Sequence, residues 1–402
     1  MKNNESIIKR SANRRMFLKN GMVAAGAAGV GASLLTGKAL AFDREDDDDD
    51  RAPITKGDIA ILRFLQALET VEDDLWRQYA ELGGLATKEF NGFTTGNAPY
   101  TNSLLKLDGD MPQYINDNTD DEISHQRFLG NYLASKGVKS TDLSKFRVID
   151  GSTAAGALIV NGKPAKRLTN LTKLTIDTSF WARYRSITNP DFDPNATFVQ
   201  AVKGLNVGFH TAIPRTNADT TGDPNLIDAI AFTAGFHFAF IEQGGSSLYP
   251  TLAQKVTNLE VLRILLSIGP SETMHFQTWQ DKAGNANTGN PDLTVTDPVN
   301  GFPVTFTDLH VALGESDNET DNQGRVLQAN LIMPEPTHFL DPKFGPVAII
   351  RPTSTRLNGA VAAVRGLTDD NLFLDPKTGQ NTGIVDVLMD LAEEADAARR
   401  RF

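Results

Sequence analysis

Two pairs of residues in this sequence combine a carboxylate with an imidazole three positions later. Glu122 precedes His125, and Glu272 precedes His275. Residues three apart lie on the same face of a helix, and each pair falls in a segment whose apolar residues recur at helical spacing. Glutamate oxygens and imidazole nitrogens are both common metal ligands. The spacing therefore predicts two helix faces that each present a pair of metal ligands.

Two single glutamates complete a pattern around these pairs. Glu69 lies on the broad apolar stripe of an earlier predicted helix, and Glu72, one turn further along that stripe, is a reserve for it. Glu242 ends a later apolar run and is followed seven residues on by Tyr249. The order along the chain is Glu, Glu-x-x-His, Glu, Glu-x-x-His. A four-helix bundle with a two-metal carboxylate site requires this set, with all the side chains projecting inward.

The sequence resembles the ferritin-like superfamily, and within it the secreted branch of ferritin-like and desiccation-related proteins. The resemblance is carried by L-E-T-V-E-D-D-L-W at 68–76, D-E-I-S-H at 121–125, I-E-Q-G-G-S-S-L-Y at 241–249 and S-E-T-M-H at 271–275. It covers roughly residues 57–285, with gaps. It implies a mainly α protein, a ferritin-like four-helix bundle with a long connection between its second and third helices.

The resemblance also implies a di-iron or di-manganese centre, in which Glu122 and Glu272 bridge the two ions. One position departs from the pattern of many relatives, which carry a tyrosine seven residues after the first ligand glutamate. This chain has Trp76 there, whereas Tyr249 keeps the equivalent place after Glu242 and is a candidate donor of a proton or an electron. The implied ligands are Glu69, Glu122, His125, Glu242, Glu272 and His275.

The first 41 residues are predicted to be an export signal that is not part of the fold. Residues 13–19 read N-R-R-M-F-L-K and match the twin-arginine pattern, and a weakly apolar, Gly/Ala-rich run follows at 21–35. Ala-Leu-Ala at 39–41 predicts cleavage before Phe42. The apolar run is too short for a permanent membrane span. We therefore expect a periplasmic or extracellular protein, and an uncleaved membrane tether is the alternative.

Composition limits the classes of partner. Removing the predicted signal leaves 32 basic and 49 acidic residues and a formal charge of −17, which argues against nucleic acid as a partner. The chain has no cysteine, so disulfides, thiolate metal sites and cysteine nucleophiles are excluded. The acidic segment at 42–56, with aspartate at every position of 46–50, is predicted to be a disordered leader.

Four long helices are predicted to position the ligands. Thr55 is the predicted cap of the first helix. Pro270 is predicted to interrupt the fourth helix just before its Glu-x-x-His pair, and Gly244, Gly245 and Pro250 predict a distorted second half of the third. The predicted bounds are 57–82, 111–135, 225–254 and 258–283.

The second and third helices are parallel in this arrangement, so residues 138–224 are predicted to form a long crossover along the bundle. Short helices are predicted within it at 179–185 and 195–209. His210 and His237 lie in or near this region, and we predict that both are hydrogen-bonded packing residues rather than metal ligands.

The chain from 286 to 402 is predicted to be an irregular accessory region that covers the bundle. Its composition shifts to Asn, Asp, Gly and Pro with short strand-like runs. A final amphipathic helix is predicted at 384–400. The predicted strands are at 294–296, 304–307 and 347–350.

Four carboxylates and two imidazoles suit two iron or two manganese ions better than zinc. The expected chemistry is oxidation or reduction with dioxygen or hydrogen peroxide in stress protection, as an oxidase, peroxidase or catalase. The alternative is a structural or desiccation-protective protein whose metal site is stabilising or vestigial, because a buried Glu-x-x-His can also be a satisfied polar pair. The expectations include no stable membrane span, and they allow an oligomer. Iron storage in a shell is disfavoured because the crossover and the C-terminal region would obstruct cage packing.

Overall fold

The computed structural model describes residues 53–85, 96–183, 200–309 and 359–401. Within these ranges the protein is mainly helical, with a few short strands. The helices are α1 (Lys56–Gly83), α2 (Ala98–Leu104), α3 (Met111–Ser135), α4 (Ser179–Arg183), α5 (Ala218–Thr221), α6 (Pro224–Ala253), α7 (Leu259–Ala283), α8 (Ala360–Asp369) and α9 (Ile384–Ala397). The predictions that fall wholly or partly outside the described residues concern the signal at 1–41, the leader at 42–56, the strand at 347–350, and the ends of the short helices at 179–185 and 195–209.

The four long helices α1, α3, α6 and α7 begin and end within one residue of their predicted bounds. Thr55 caps α1 in a capping box, in which its hydroxyl accepts the Asp58 N–H at 3.1 Å and the Asp58 carboxylate accepts the Thr55 N–H at 2.9 Å. Asn258 caps α7 by accepting the Val261 N–H. These caps satisfy backbone donors that the helix cannot pair itself, and they fix where each helix starts.

Prolines inside α6 and α7 do not end either helix. The α6 helix is continuous through Gly244, Gly245 and Pro250, and α7 is continuous through Pro270. The predicted interruption of the fourth helix at Pro270 was therefore wrong. Ile268 and Glu272, on either side of Pro270, are both buried. Their burial holds the segment in helical register despite the missing backbone donor.

The long helices pack in pairs around one hydrophobic core. The α1 helix packs along α3, and α6 packs along α7. Three large aromatic side chains from three of these helices meet in the interior: the Phe238 ring centroid lies 4.9 Å from that of Trp76 and 4.8 Å from that of Trp279. On the outside, α9 packs on α1, and α8 packs on α9 and α6.

The α6 helix is apolar for most of its 30 residues. Its length and hydropathy alone would also suit a membrane span, but 78% of its most apolar window is buried inside the protein. A helix that is hydrophobic all round is expected at the centre of a large core. The packing of α6 against α7, α8 and the short α2 accounts for its composition.

The connection between α3 and α6 is built from short hairpins rather than long helices. One pair of strands, β1 (Ile149–Asp150) and β4 (Lys166–Arg167), encloses a second, β2 (Ile159–Val160) and β3 (Lys163–Pro164), and both pairs are antiparallel. The predicted helix at 179–185 is present as α4. The described part of the predicted helix at 195–209 consists instead of turns and a β-bridge, so that prediction was wrong there. Its glycines at 204 and 208 adopt positive φ, which suits turns and not a helix.

The described parts of the C-terminal region, 286–309 and 359–401, combine hairpins with two helices. The predicted strands at 294–296 and 304–307 are present as the antiparallel pair β5 (Leu293–Thr296) and β6 (Pro303–Phe306). The predicted last helix is present as α9, which ends at Ala397. The α8 helix and the hairpin of β7 (Leu374–Asp375) with β8 (Gln380–Asn381) were not predicted.

Candidate metal centre

All six side chains that the sequence singled out lie together in the interior. Each of the four long helices contributes to the cluster: Glu69 comes from α1 and Glu242 from α6, while α3 and α7 each supply one Glu-x-x-His pair. All six are buried, and none is more than 8% exposed. Helical spacing turns the two members of each pair towards the same interior space.

The six residues form two overlapping groups, and in each group the ligand atoms lie within 4.8 Å of one another. The first group is Glu69, Glu122, His125 and Glu272, and the second is Glu122, Glu242, Glu272 and His275. Glu122 and Glu272 belong to both. These buried glutamates and histidines could hold a metal ion, because their oxygen and nitrogen atoms converge on one buried space.

His125 faces the first group with its Nδ1 atom. This nitrogen lies 3.1 Å from Glu272 Oε1 and 3.3 Å from Glu122 Oε2. Glu69 Oε2 is slightly further away, at 3.4 Å. The other ring nitrogen, Nε2, lies 3.2 Å from the hydroxyl oxygen of Ser271. The ring is therefore oriented by a hydroxyl on its outer side and by carboxylates on its inner side.

His275 faces the second group in the same way. Its Nδ1 atom lies 3.2 Å from Glu122 Oε1 and 3.2 Å from Glu242 Oε2. Its Nε2 atom lies 3.0 Å from Asp121 Oδ2. A carboxylate on the second ring nitrogen fixes the tautomer and the direction of a metal-binding imidazole. The two imidazole rings lie 6.3 Å apart, centroid to centroid.

Crowding of acids in a dry interior shifts their protonation. Burial raises the pKa of Glu122 to about 7, and the negative charge of Glu242 adds to the effect. Burial raises the pKa of Glu272 well above its ordinary value, and repulsion from Glu122 contributes further. Burial would also raise the pKa of Glu69, but the close contact with the His125 imidazole and its charge outweigh this and lower the pKa. The cluster thus needs positive charge, either protons or cations.

Three carboxylate oxygens in the cluster lack hydrogen bonds. Among the residues that the structure describes, Glu69 Oε2 and both oxygens of Glu272 are buried without a hydrogen-bond partner. The approach of His125 to Glu272 is an ion-pair contact and does not have the geometry of a hydrogen bond. An unsatisfied buried acceptor costs roughly 1–3 kcal/mol. A bound cation would satisfy these atoms, so the residues present fit a metal site.

Gly245 makes room for one of the shared carboxylates. A Cβ atom added at this position would lie 2.6 Å from Glu272 Oε2, which is too close for any real side chain. The α6 helix can therefore approach Glu272 closely only because it has glycine here. The I-E-Q-G-G segment thus supplies both a ligand and the space for its neighbour.

Asn118 is a polar support that the sequence analysis missed. Its amide nitrogen donates to Glu122 Oε1 at 2.9 Å and to Glu242 Oε1 at 3.0 Å. Its amide oxygen accepts the indole N–H of Trp279 at 2.6 Å. Asn118 precedes Glu122 by four residues and so lies on the same helix face, which is the signal that could have found it. Asp121 and Ser271, which hold the outer ring nitrogens, each lie next to a pair in the sequence.

Tyr249 lies against the cluster, where its hydroxyl donates a hydrogen bond to Glu69 Oε1. Burial, with the nearby charge of Glu69, raises the pKa of the phenol well above its ordinary value, so the hydroxyl keeps its proton. Glu72, the reserve for Glu69, is not in either ligand group. Trp76 stacks on Trp279 with ring centroids 5.3 Å apart.

The two other described histidines have neighbours of a different kind. His237 is fully buried, and its Nδ1 atom lies 2.6 Å from the hydroxyl oxygen of Tyr79. Burial lowers the pKa of His237 to about 3, so the ring stays neutral. His210 Nε2 lies 3.0 Å from each of two backbone carbonyl oxygens, those of Gly204 and Val207. Both are hydrogen-bonded packing residues.

Comparison with known proteins adds no relative to this picture. No protein-family model, no curated protein and no solved structure matches the chain. The side chains of the cluster are therefore the basis for any functional assignment.

Proposed function

We propose that this chain is an exported ferritin-like protein whose four-helix bundle surrounds a dinuclear metal centre that acts on dioxygen or hydrogen peroxide. The observation that carries the proposal is the sharing of Glu122 and Glu272 between two groups of buried ligand atoms. The pairing of α1 with α3 and of α6 with α7, and the convergence of one or two ligands from each helix, support the bundle.

The donor set favours iron or manganese. Four carboxylates and two imidazoles offer hard oxygen atoms with one nitrogen for each ion, whereas structural zinc sites use four ligands that are mostly thiolate and imidazole. The first group would hold one ion with Glu69 and His125, and the second would hold the other with Glu242 and His275. The shared glutamates, Glu122 and Glu272, would bridge the two ions. Two redox-active ions held in this way would supply electrons to dioxygen or peroxide.

The chain's own residues would control access and protons. Tyr249 holds a proton on its hydroxyl in a hydrogen bond to Glu69. Trp76, Phe238 and Trp279 are fully buried beside the cluster and exclude water from that side. Asn118 donates one N–H to each of two carboxylates and holds their orientation. These contacts would orient the candidate ligands and keep water away from this side of the site.

One observation favours a second candidate function, in which the protein is structural or stress-protective and the site is stabilising or vestigial. His125 and His275 already lie against the carboxylates in ion-pair contacts. Although burial opposes it, the charge of Glu242 and the surrounding hydrogen bonds raise the pKa of His275 well above its ordinary value. Protonated imidazoles could then neutralise part of the cluster without metal.

Metal analysis of protein purified without added metal separates the two candidates. The proposed centre predicts close to two equivalents of iron or manganese, and Glu272→Ala should lose at least one. His275→Ala should lose metal, whereas His237→Ala, a matched buried histidine outside both groups, should not. Loaded protein mixed with peroxide should show an absorbance change that metal-stripped protein lacks. Wild-type protein that retains no metal at neutral pH would instead support the second candidate.

Export by the twin-arginine route is a separate part of the proposal. Folded proteins use this route, which suits a cofactor loaded before export. Replacing Arg14 and Arg15 together by lysine should leave the precursor in the cytoplasm, as judged by fractionation and by its uncleaved length. Continued export of the double variant would contradict this route.

A further inference from the structure

A cavity of about 280 Å³ lies between α1, α6 and α8, next to the metal-ligand cluster. Its lining is mixed: Leu68, Phe240, Leu248 and Leu367 are apolar, whereas Glu72, Asp177, Gln243 and Ser247 are polar. Small residues from α6 and α8, such as Gly244 and Gly366, leave the space open between these larger side chains. An apolar cavity of about 150 Å³ in another protein holds benzene, so this one has room for roughly one or two rings.

One polar group in this lining has no partner. Glu72 lines the cavity and is only 6% exposed. Within the part of the chain that the structure describes, its carboxyl group has no hydrogen bond or ion pair; the charged groups near it are other glutamates, which repel it. A buried carboxyl group without a partner is costly unless something else supplies a donor. The cavity is the open space from which such a donor could come.

The cavity and the cluster share a wall. Gly245 lines the cavity, and its backbone lies directly against Glu272, one of the two shared carboxylates. Glu72 lies close enough to Glu69 and Glu272 that their charges act on it. A molecule in the cavity would therefore lie beside the metal ligands, separated from them only by a glycine and a carboxyl group.

We propose that this cavity binds a small, mainly apolar molecule that carries one hydrogen-bond-donating head group, a hydroxyl or an amine, with Glu72 as the acceptor. A carboxyl group accepts such a bond whether it is ionised or protonated. The apolar walls would enclose the rest of the molecule. The assignment of this molecule as a substrate rests on the proposed function, whereas its binding does not.

Phenol and toluene test the head-group contact, because they have nearly the same shape and phenol has a hydroxyl where toluene has a methyl group. Titration calorimetry on the full-length protein should show phenol binding roughly three- to tenfold more tightly than toluene, as one net hydrogen bond provides. Glu72→Met should abolish that preference, because the phenol hydroxyl then has no acceptor while the methyl group of toluene needs none. Glu72→Gln keeps a carbonyl acceptor and should retain the preference.

Filling the cavity tests its location. A Cβ atom at Gly244 or Gly366 would meet no heavy atom within 4 Å, so a larger side chain fits at either position. Gly244→Leu and Gly366→Leu should weaken binding of both ligands by at least tenfold. Both variants should fold, because leucine is a better helix former than glycine. Gly130→Ala, on α3 and outside the cavity lining, is the control and should bind as the wild type does.

Three outcomes would overturn the inference: wild-type protein that binds neither ligand at millimolar concentration, a phenol preference that survives Glu72→Met, or binding that survives both leucine variants. The metal content of the same samples should also be measured, so that a failure of the cavity proposal can be distinguished from a failure of the proposed function. Ligand binding without bound metal would contradict the dinuclear centre alone. Two bound metal ions without ligand binding would contradict the cavity proposal alone.

Discussion

Two sets of buried acids lie along the same helix, α1, and they differ in what surrounds them. Towards the C-terminal end, Asp74 and Glu81 are satisfied by protein groups. Asp74 Oδ2 accepts the backbone N–H groups of Leu168 and Thr169, at 2.9 and 3.0 Å. Glu81 receives two hydrogen bonds from the guanidinium group of Arg167, at 2.6 and 2.7 Å.

Earlier in the same helix, Glu69 and Glu72 have few protein donors. Glu69 receives a hydrogen bond from Tyr249 on one oxygen, while its other oxygen has no hydrogen bond among the described residues. Glu72 has repelling neighbours instead of donors. A structural acid is expected to have its partners built into the fold, as Asp74 and Glu81 do. The contrast supports the proposed metal centre, in which a cation would be the partner of the Glu69 oxygen that has no hydrogen bond.

The largest expected effect is the loss of stability on metal removal. A ligand that binds only the folded state stabilises it by about 4 kcal/mol when its free concentration is a thousand times its dissociation constant. Stripping the metals should therefore lower the melting temperature by on the order of 10 °C. Calorimetry with and without a chelator measures the shift. If the metal-stripped and metal-loaded proteins have the same melting temperature, Glu69 is a structural acid like Glu81 and has no metal partner.

Glu81, near the C-terminal end of α1, provides the opposite test, because its partner is a protein side chain and not a metal ion. Arg167 and Glu81 are both buried, so Arg167→Met leaves an uncompensated buried charge and should destabilise the protein by roughly 3–5 kcal/mol. Metal content should stay unchanged. The double variant Arg167→Met with Glu81→Met removes both charges and should recover most of the loss. Urea denaturation measures each step, and a loss of metal in Arg167→Met would show that the two ends are coupled.

The sequence predicted the features that depend on the residues of a single helix. Apolar periodicity and caps located α1, α3, α6 and α7, and the spacing of Glu122 with His125 placed both on one face. Such signals are local, since a helix face is set by residues three and four apart. The six ligands could be named because each has its own place in that pattern.

Other parts depend on contacts between distant segments. The hydrogen bond from Asn118 to Glu242 joins α3 to α6, between residues 124 positions apart, and nothing in the sequence near Asn118 specifies it. Glu69 and Glu72 lie on one apolar stripe, so only the packing of α6 and α8 shows that one joins the ligand groups and the other lines a cavity. The hairpins of the crossover were missed because their strands are two residues long, too short for an alternating pattern.

His237 should have a smaller effect, on how folding stability depends on pH. Burial lowers the pKa of His237 to about 3, below its value in the unfolded chain, so the unfolded state binds the extra proton as the pH falls below 6.5. Folding stability is therefore lost on acidification in the window from 6.5 down to 3, by about 1.4 kcal/mol per pH unit, or about 2 kcal/mol at pH 5. His237→Gln removes the titration and keeps an acceptor for Tyr79. Between pH 7 and pH 5, the free energy of unfolding of this variant should fall by about 2 kcal/mol less than that of the wild type. An equal decrease in the two proteins would contradict the prediction.

An effect of similar size is expected for Asn118, which contacts two candidate ligands without being one itself. Asn118→Leu removes the N–H donors to Glu122 and Glu242, so both carboxylates lose their fixed orientation. Loss of such a support typically costs ten- to a hundredfold in metal affinity, or about 1.4–2.8 kcal/mol. Asn116 is a matched control, because it is equally buried on α3 and, among the described residues, hydrogen-bonds to the backbone of Leu85 and to no candidate ligand. Competition with a chelator should show weaker metal binding in Asn118→Leu and wild-type binding in Asn116→Leu. Equal losses in both variants would mean that general loosening of α3, and not the orientation of the two carboxylates, sets the affinity.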